Sequence, residues 1–124
     1  MKILATLITI FLSSSAFANV HYWCTPVEYD KGLEAVVIKE VSGQMTIAVY
    51  TKSSRWGSVD EYLSQADIKN DQAGDLVYST ASQGVELTIH TNGHIPDQRG
   101  EEFTGNIIDQ RFNINMNVYC EYLR

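Results

Sequence analysis

An all-β fold is predicted for this chain: a small antiparallel β-barrel or sandwich of about seven strands with one short helix, its termini joined by a disulfide. Three observations predict it. Apolar and polar residues alternate with period two in several segments, turn dipeptides separate those segments, and the two cysteines sit near opposite ends of the chain.

The alternation is clearest near the C-terminus, where Phe112, Ile114, Met116, Val118, Cys120 and Tyr122 interleave with Asn113, Asn115, Asn117, Tyr119 and Glu121. Successive strand residues point to opposite faces, so one face of this strand is apolar and the other polar. Met45, Ile47 and Val49 repeat the pattern, as do Val85, Leu87 and Ile89. Shorter β-rich runs lie at Val20 to Thr25, Ala35 to Val41, Leu76 to Thr80 and Glu102 to Ile108, with turn signals at Ser42-Gly43, Ser82-Gln83-Gly84 and Asn92-Gly93. One segment reads differently. Ser58-Val59-Asp60-Glu61 has capping-box spacing, and Val59, Tyr62, Leu63 and Ala66 would share one helical face, so a short helix is expected there. Short strands without long crossover helices favour antiparallel pairing.

Lys2, the apolar run Ile3 to Leu12 and Ala16-Phe17-Ala18 have the form of a signal peptide over residues 1–18, followed by a single domain over 19–124. The apolar run has ten residues, half of the about 20 that a spanning helix needs, so no membrane span is expected. Export places the chain in the periplasm or outside the cell. An outer-membrane barrel would need longer strands and a bridge on its lipid face, which weighs against it.

In an oxidising compartment the pair Cys24 and Cys120 is expected to form a disulfide. Its short span requires the first and last strands to lie beside or across from each other. Cys120 shares the apolar face of its strand, so the bridge is internal; Val20 and Tyr22, in register with Cys24, are expected inside, and His21, Trp23 and Thr25 outside. A barrel closed by its terminal strands satisfies this, with a sandwich as the alternative.

Loss of Lys2 with the leader leaves 8 basic against 15 acidic residues, a net charge of −7. Such a surface disfavours nucleic acid and anionic lipid and suits cationic partners. Neither a nucleophile elbow nor a phosphate cradle occurs, and no cofactor is expected. The pairs Asp60-Glu61 and Glu101-Glu102 read as solvated charges, because neighbours on a strand face opposite ways. His90, His94 and Asp97 are the weak candidate for a metal set, separated by the turn dipeptide Asn92-Gly93; no metal is the expectation.

The outward aromatics are more informative. Trp23 and His21 on the first strand would neighbour Tyr119 and Glu121 on the last, giving a binding patch over the disulfide seam. Alternatively Trp56, Tyr62 and Leu63 fold over this seam as a second small core. The loop from Asn92 to Gly100 is a further contact surface. The reading is therefore an exported, non-catalytic binding module for a protein or glycan, with a basic extracytoplasmic protein as the favoured class of partner. In size, export and a single bridge it is similar to small periplasmic β-barrel inhibitors of lysozyme, an analogy of class alone, since the chain lacks their loop motif. Inhibition of a basic hydrolase such as lysozyme and metal carriage are the alternatives.

Overall fold

In the computed structural model, residues 19–28, 32–52 and 57–124 are described; the leader and Trp56 lie outside them. The strands are β1 (Val20–Pro26), β2 (Leu33–Val41), β3 (Gln44–Lys52), β4 (Val59–Gln65), β5 (Asp67–Asn70), β6 (Leu76–Ser79), β7 (Val85–Ile89), β8 (Glu102–Asp109) and β9 (Ile114–Tyr122). All pairing is antiparallel, in the order β4-β3-β2-β1-β9-β8-β7-β6-β5.

β4 and β5 follow each other through Ala66, so one bent segment pairs first with β3 and then with β6. Counted that way the sheet is an up-and-down meander that nearly closes on itself, with β1 and β9 paired directly. A barrel of about eight strands has an interior just wide enough to be filled by side chains. Here the filling is Tyr22, Leu33, Val36, Ile38, Ile47, Val49, Leu87, Ile89, Ile107 and Val118 around the Cys24–Cys120 bridge. Cys24 and Cys120 are direct cross-strand partners with Cα atoms 4.0 Å apart, which selects the barrel over the sandwich. In β9 the apolar side faces inward and Asn115, Asn117, Tyr119 and Glu121 face out, the reverse of a barrel whose outer wall meets lipid. Among the described residues no helix is long and apolar enough to cross a membrane.

The expected helix at Ser58 is overturned, and no helix occurs among the described residues. Val59–Gln65 is a strand in seven-residue register with β3. Glu61 does not cap anything: it accepts from Tyr50 Oη at 2.7 Å and Lys39 Nζ at 2.9 Å across the sheet. Pairing along a whole neighbouring strand outweighs the weak local preference that a capping box expresses. β9 begins at Ile114 rather than at Phe112, which lies in the β8–β9 turn with its ring 4.6 Å from that of Tyr62.

Val20 is buried as expected, but on the opposite face. A register irregularity between Val20 and Tyr22 turns it to the outer wall, where it packs with Val37, Ala48, Tyr50 and Leu123. An extra residue on one strand of a pair reverses the facing of what precedes it. A second small core therefore exists, beside the seam rather than over it. Of its expected members, Tyr62 instead meets Phe112 and Leu63 is exposed.

Two glycine positions show how the backbone is forced. Ser42 and Gly43 both have positive φ, the geometry that a two-residue turn between β2 and β3 demands. Gly105 faces the interior, where a Cβ would meet the Thr88 carbonyl oxygen at 2.5 Å and Val118 Cγ2 at 3.4 Å. Gly105→Ala should therefore part β7 from β8 locally and lower the urea midpoint with an unchanged m-value; an equal or higher midpoint would contradict this close approach.

Candidate functional site

β1, β8 and β9 lie side by side, and their outward residues form the wall over the disulfide. Parity places Trp23 and Thr25 on β1, Tyr119 and Glu121 on β9, and Glu102 on β8 on that wall. Trp23 is the Cα partner of Glu121, Thr25 of Tyr119, and Glu102 of Glu121. Together they line a shallow cleft of about 380 Å³ whose floor includes Cys120. Trp23 is 37% and Tyr119 51% exposed. A second shallow cleft of about 300 Å³, between Val27, His90, Thr104, Gly105, Asn117 and Tyr119, shares the Tyr119 wall.

Three of the four residues expected in the patch are thus brought together: Trp23, Tyr119 and Glu121. His21 is turned aside, its Nδ1 2.9 Å from the Arg124 carbonyl oxygen and its Nε2 3.6 Å from Glu40, where it ties down the chain end. Sequence reading missed Thr25 and Glu102 as cleft residues. Glu102 was legible as outward-facing, but its position opposite Glu121 depends on the β8–β9 register.

His90, His94 and Asp97, the candidate metal set, do not converge. His90 Nδ1 lies 2.8 Å from the Asp75 carboxylate, whereas His94 Nε2 lies 2.7 Å from Glu101. Asp75 also accepts from the Asn92 N–H at 3.0 Å, and Gly93 N–H donates to the Gly74 carbonyl, so these contacts stitch the β5–β6 turn to the β7–β8 loop. The atoms that come within 4.8 Å of one another belong to His94, Asp97 and Glu101. Glu101 is already occupied structurally: its Oε2 accepts from the Asp97 and Gln98 N–H groups while Oε1 meets His94. Those backbone donors, and then His94, hold its carboxyl below the usual range. The cluster clamps the loop over the barrel end, near Phe103 and the interior tyrosines. Burial pushes the Tyr22 hydroxyl up to about 12 and raises Tyr78 as well, so both stay neutral hydroxyls at neutral pH.

Asp75 yields a pH prediction. The hydrogen bond from His90, and then that from Asn92, lower its pKa below the ordinary 3.8. A depressed carboxyl contributes stability fully above its unfolded pKa and loses it as pH falls through the folded value. The Asn92 amide resonance should accordingly titrate with a midpoint below 3.8. A midpoint at or above that value would break the link.

At the opposite end, Asp109 is fully buried and holds Arg111 through two contacts, Nε at 3.0 Å and a terminal nitrogen at 2.8 Å, while accepting from the Arg111 N–H at 3.0 Å. The guanidinium lies over the rings of Tyr62 and Phe112. This is a structural plug and presents no reactive group. Where β4 bends into β5, Ser64 Oγ bonds to the Gln83 side chain across the gap, beside a polar cleft.

Fold and site define a disulfide-stapled, up-and-down β-barrel carrying an aromatic and acidic cleft on its outer wall. No family model, curated protein or solved structure matches the chain significantly.

Proposed function

We propose that the chain is an extracytoplasmic, non-catalytic binding module that recognises a protein or glycan through the wall over its disulfide. The carrying observation is the cleft in which Trp23 of β1 and Tyr119 of β9 stand exposed, with Glu121 of β9 and Glu102 of the next strand, β8, beside them. Large aromatics held on a rigid sheet contribute contact area at low entropic cost, which is why they anchor recognition surfaces. The paired Cys24 and Cys120 accord with an oxidising compartment, the one in which a leader over residues 1–18 would deliver the chain. The pairs His90–Asp75, His94–Glu101 and Arg111–Asp109 are engaged in clamps that hold the fold, which leaves them less suited to acid–base chemistry.

Inhibition of a basic hydrolase such as lysozyme is the finer form of this reading, favoured by the net charge of −6 in the whole chain. Complex formation with such a hydrolase should weaken as salt rises from about 0.05 to 0.5 M. The binding test compares immobilised wild-type protein with Trp23→Ala/Tyr119→Ala and with Ile95→Ala, which alters the 82% exposed side chain on the separate loop. Loss of capture of proteins and cell-wall glycans in the aromatic double variant alone is expected. Capture that depends on Ile95 instead would refute the assignment to the seam.

A further inference from the structure

The paired carboxylates of the cleft carry a charge problem that the described part of the chain does not solve. Glu102 and Glu121 are direct cross-strand partners on the outer face of β8 and β9. Like charges directly opposite each other in an antiparallel pair are destabilising. Three other acids are coupled to basic side chains, Glu61 to Lys39, Asp109 to Arg111 and Glu101 to His94, whereas this pair stands directly opposed. Among the described residues Glu102 and Glu121 have no ion pair.

We propose that this cleft seats a cationic side chain, an arginine before a lysine, presented by a basic partner protein. The inference rests on the binding reading above and names its partner class. A guanidinium placed between Glu102 and Glu121 relieves their repulsion and donates to both, while its plane stacks against the aromatic wall of Trp23 and Tyr119. A neutral sugar would use the aromatics but leave the two carboxylates facing each other uncompensated. A phosphate or other anion would add a third negative charge. The acidic net charge of the chain, −6, extends the same preference beyond contact distance by drawing basic partners toward it. Lysine meets one carboxylate at a time as a point charge and is more strongly hydrated, so it is the weaker occupant.

The structure also implies a trade between stability and binding at this pair. Removing one charge should steady the free protein and spoil the seat. In Glu121→Gln and in Glu102→Gln, the melting temperature of the ligand-free protein is expected to rise by a degree or more, because the cross-strand repulsion is gone. An unchanged or lower melting temperature in both would remove the repulsion on which the proposal stands.

The direct test uses the oxidised protein, amide and indole NMR shifts, and three probes: Nα-acetyl-arginine amide, its neutral isostere Nα-acetyl-citrulline amide, and a neutral N-acetylglucosamine trimer. The arginine probe should move the Trp23 indole N–H and the Glu121 amide. Its affinity should fall about tenfold or more in Glu102→Gln/Glu121→Gln, and citrulline should bind at least tenfold more weakly than arginine. Equal binding of arginine and citrulline, or full arginine binding to the double variant, overturns the proposal. Binding of the trimer at Trp23 without arginine binding also overturns it while leaving the seam as a recognition surface. No probe response at Trp23 would count against both.

Discussion

Replacing Cys24 and Cys120 together with alanine should lower the unfolding free energy by about 4 kcal/mol, because the bridge spans a sequence separation of 96 residues. A crosslink over so long a loop acts mainly by restricting the unfolded chain, and loops of about 100 residues lie near the upper end of that effect. The native consequence is local. β1 and β9 keep their five register pairs, so the barrel should still form, with the same circular dichroism spectrum at low temperature. Urea unfolding of the double variant against the oxidised protein measures the loss. A difference under about 1 kcal/mol would mean that the terminal strands are held almost wholly by their hydrogen bonds and packing.

Arg111→Met is expected to destabilise by about 3 kcal/mol, the lower end of the cost of stranding one member of a buried ion pair. The lower end applies because the Arg111 side chain is 25% exposed, while the Asp109 side chain it serves is 0% exposed. Loss of the guanidinium also removes the layer over Tyr62 and Phe112 that closes this end of the barrel. The cost belongs to the orphaned carboxylate rather than to the pair itself. Asp109→Asn/Arg111→Met should therefore recover most of it, since an asparagine oxygen can still accept from the backbone N–H of residue 111. Equal losses in the single and double variants would contradict that assignment. Chemical unfolding at neutral pH and constant ionic strength makes the comparison.

What could be read from the residues follows from period two. β9 and β7 expose their facing directly, because an alternating run has only one way to bury its apolar side. From Cys120 the same parity carried over to Cys24, Tyr22 and Trp23, which is why the bridge, its internal position and most of the outer patch were legible. β4 was not. Its inward positions are Asp60, Tyr62 and Ser64, and its outward ones include Val59 and Leu63, so polarity does not mark its faces. Such a segment shows its strand character only through its partner β3. Val20 was missed in its facing for a different reason: an irregularity in register is set by both strands at once and leaves no mark on either alone.

The loop contacts were hidden by distance along the chain. His90 finds Asp75 across 15 residues, which depends on how the β5–β6 turn and the β7–β8 loop are folded against each other, and His94 finds Glu101 across seven, which depends on the path of the β7–β8 loop itself. The spacing of His90 and His94 would align them only on a helix; the turn expected at Asn92-Gly93, where both residues have positive φ, separates them. Asp109 and Arg111 were closer to legible, as an acid and a base two apart at the end of an alternating strand. Glu102 gained its interest only once Glu121 was known to stand opposite.

All of this, from the nearly closed barrel to the cationic seat, requires that the outer residues of β1 and β9 share one continuous wall. The nuclear Overhauser effect between the Hα protons of Cys24 and Cys120 reports it most directly in the oxidised protein, since Cα atoms 4.0 Å apart in an antiparallel pair bring those protons close. A strong cross-peak is predicted, retained at reduced stability in Cys24→Ala/Cys120→Ala as one between the two alanines. Its absence from the oxidised protein, with both thiols open to alkylation on unfolding, would contradict the account.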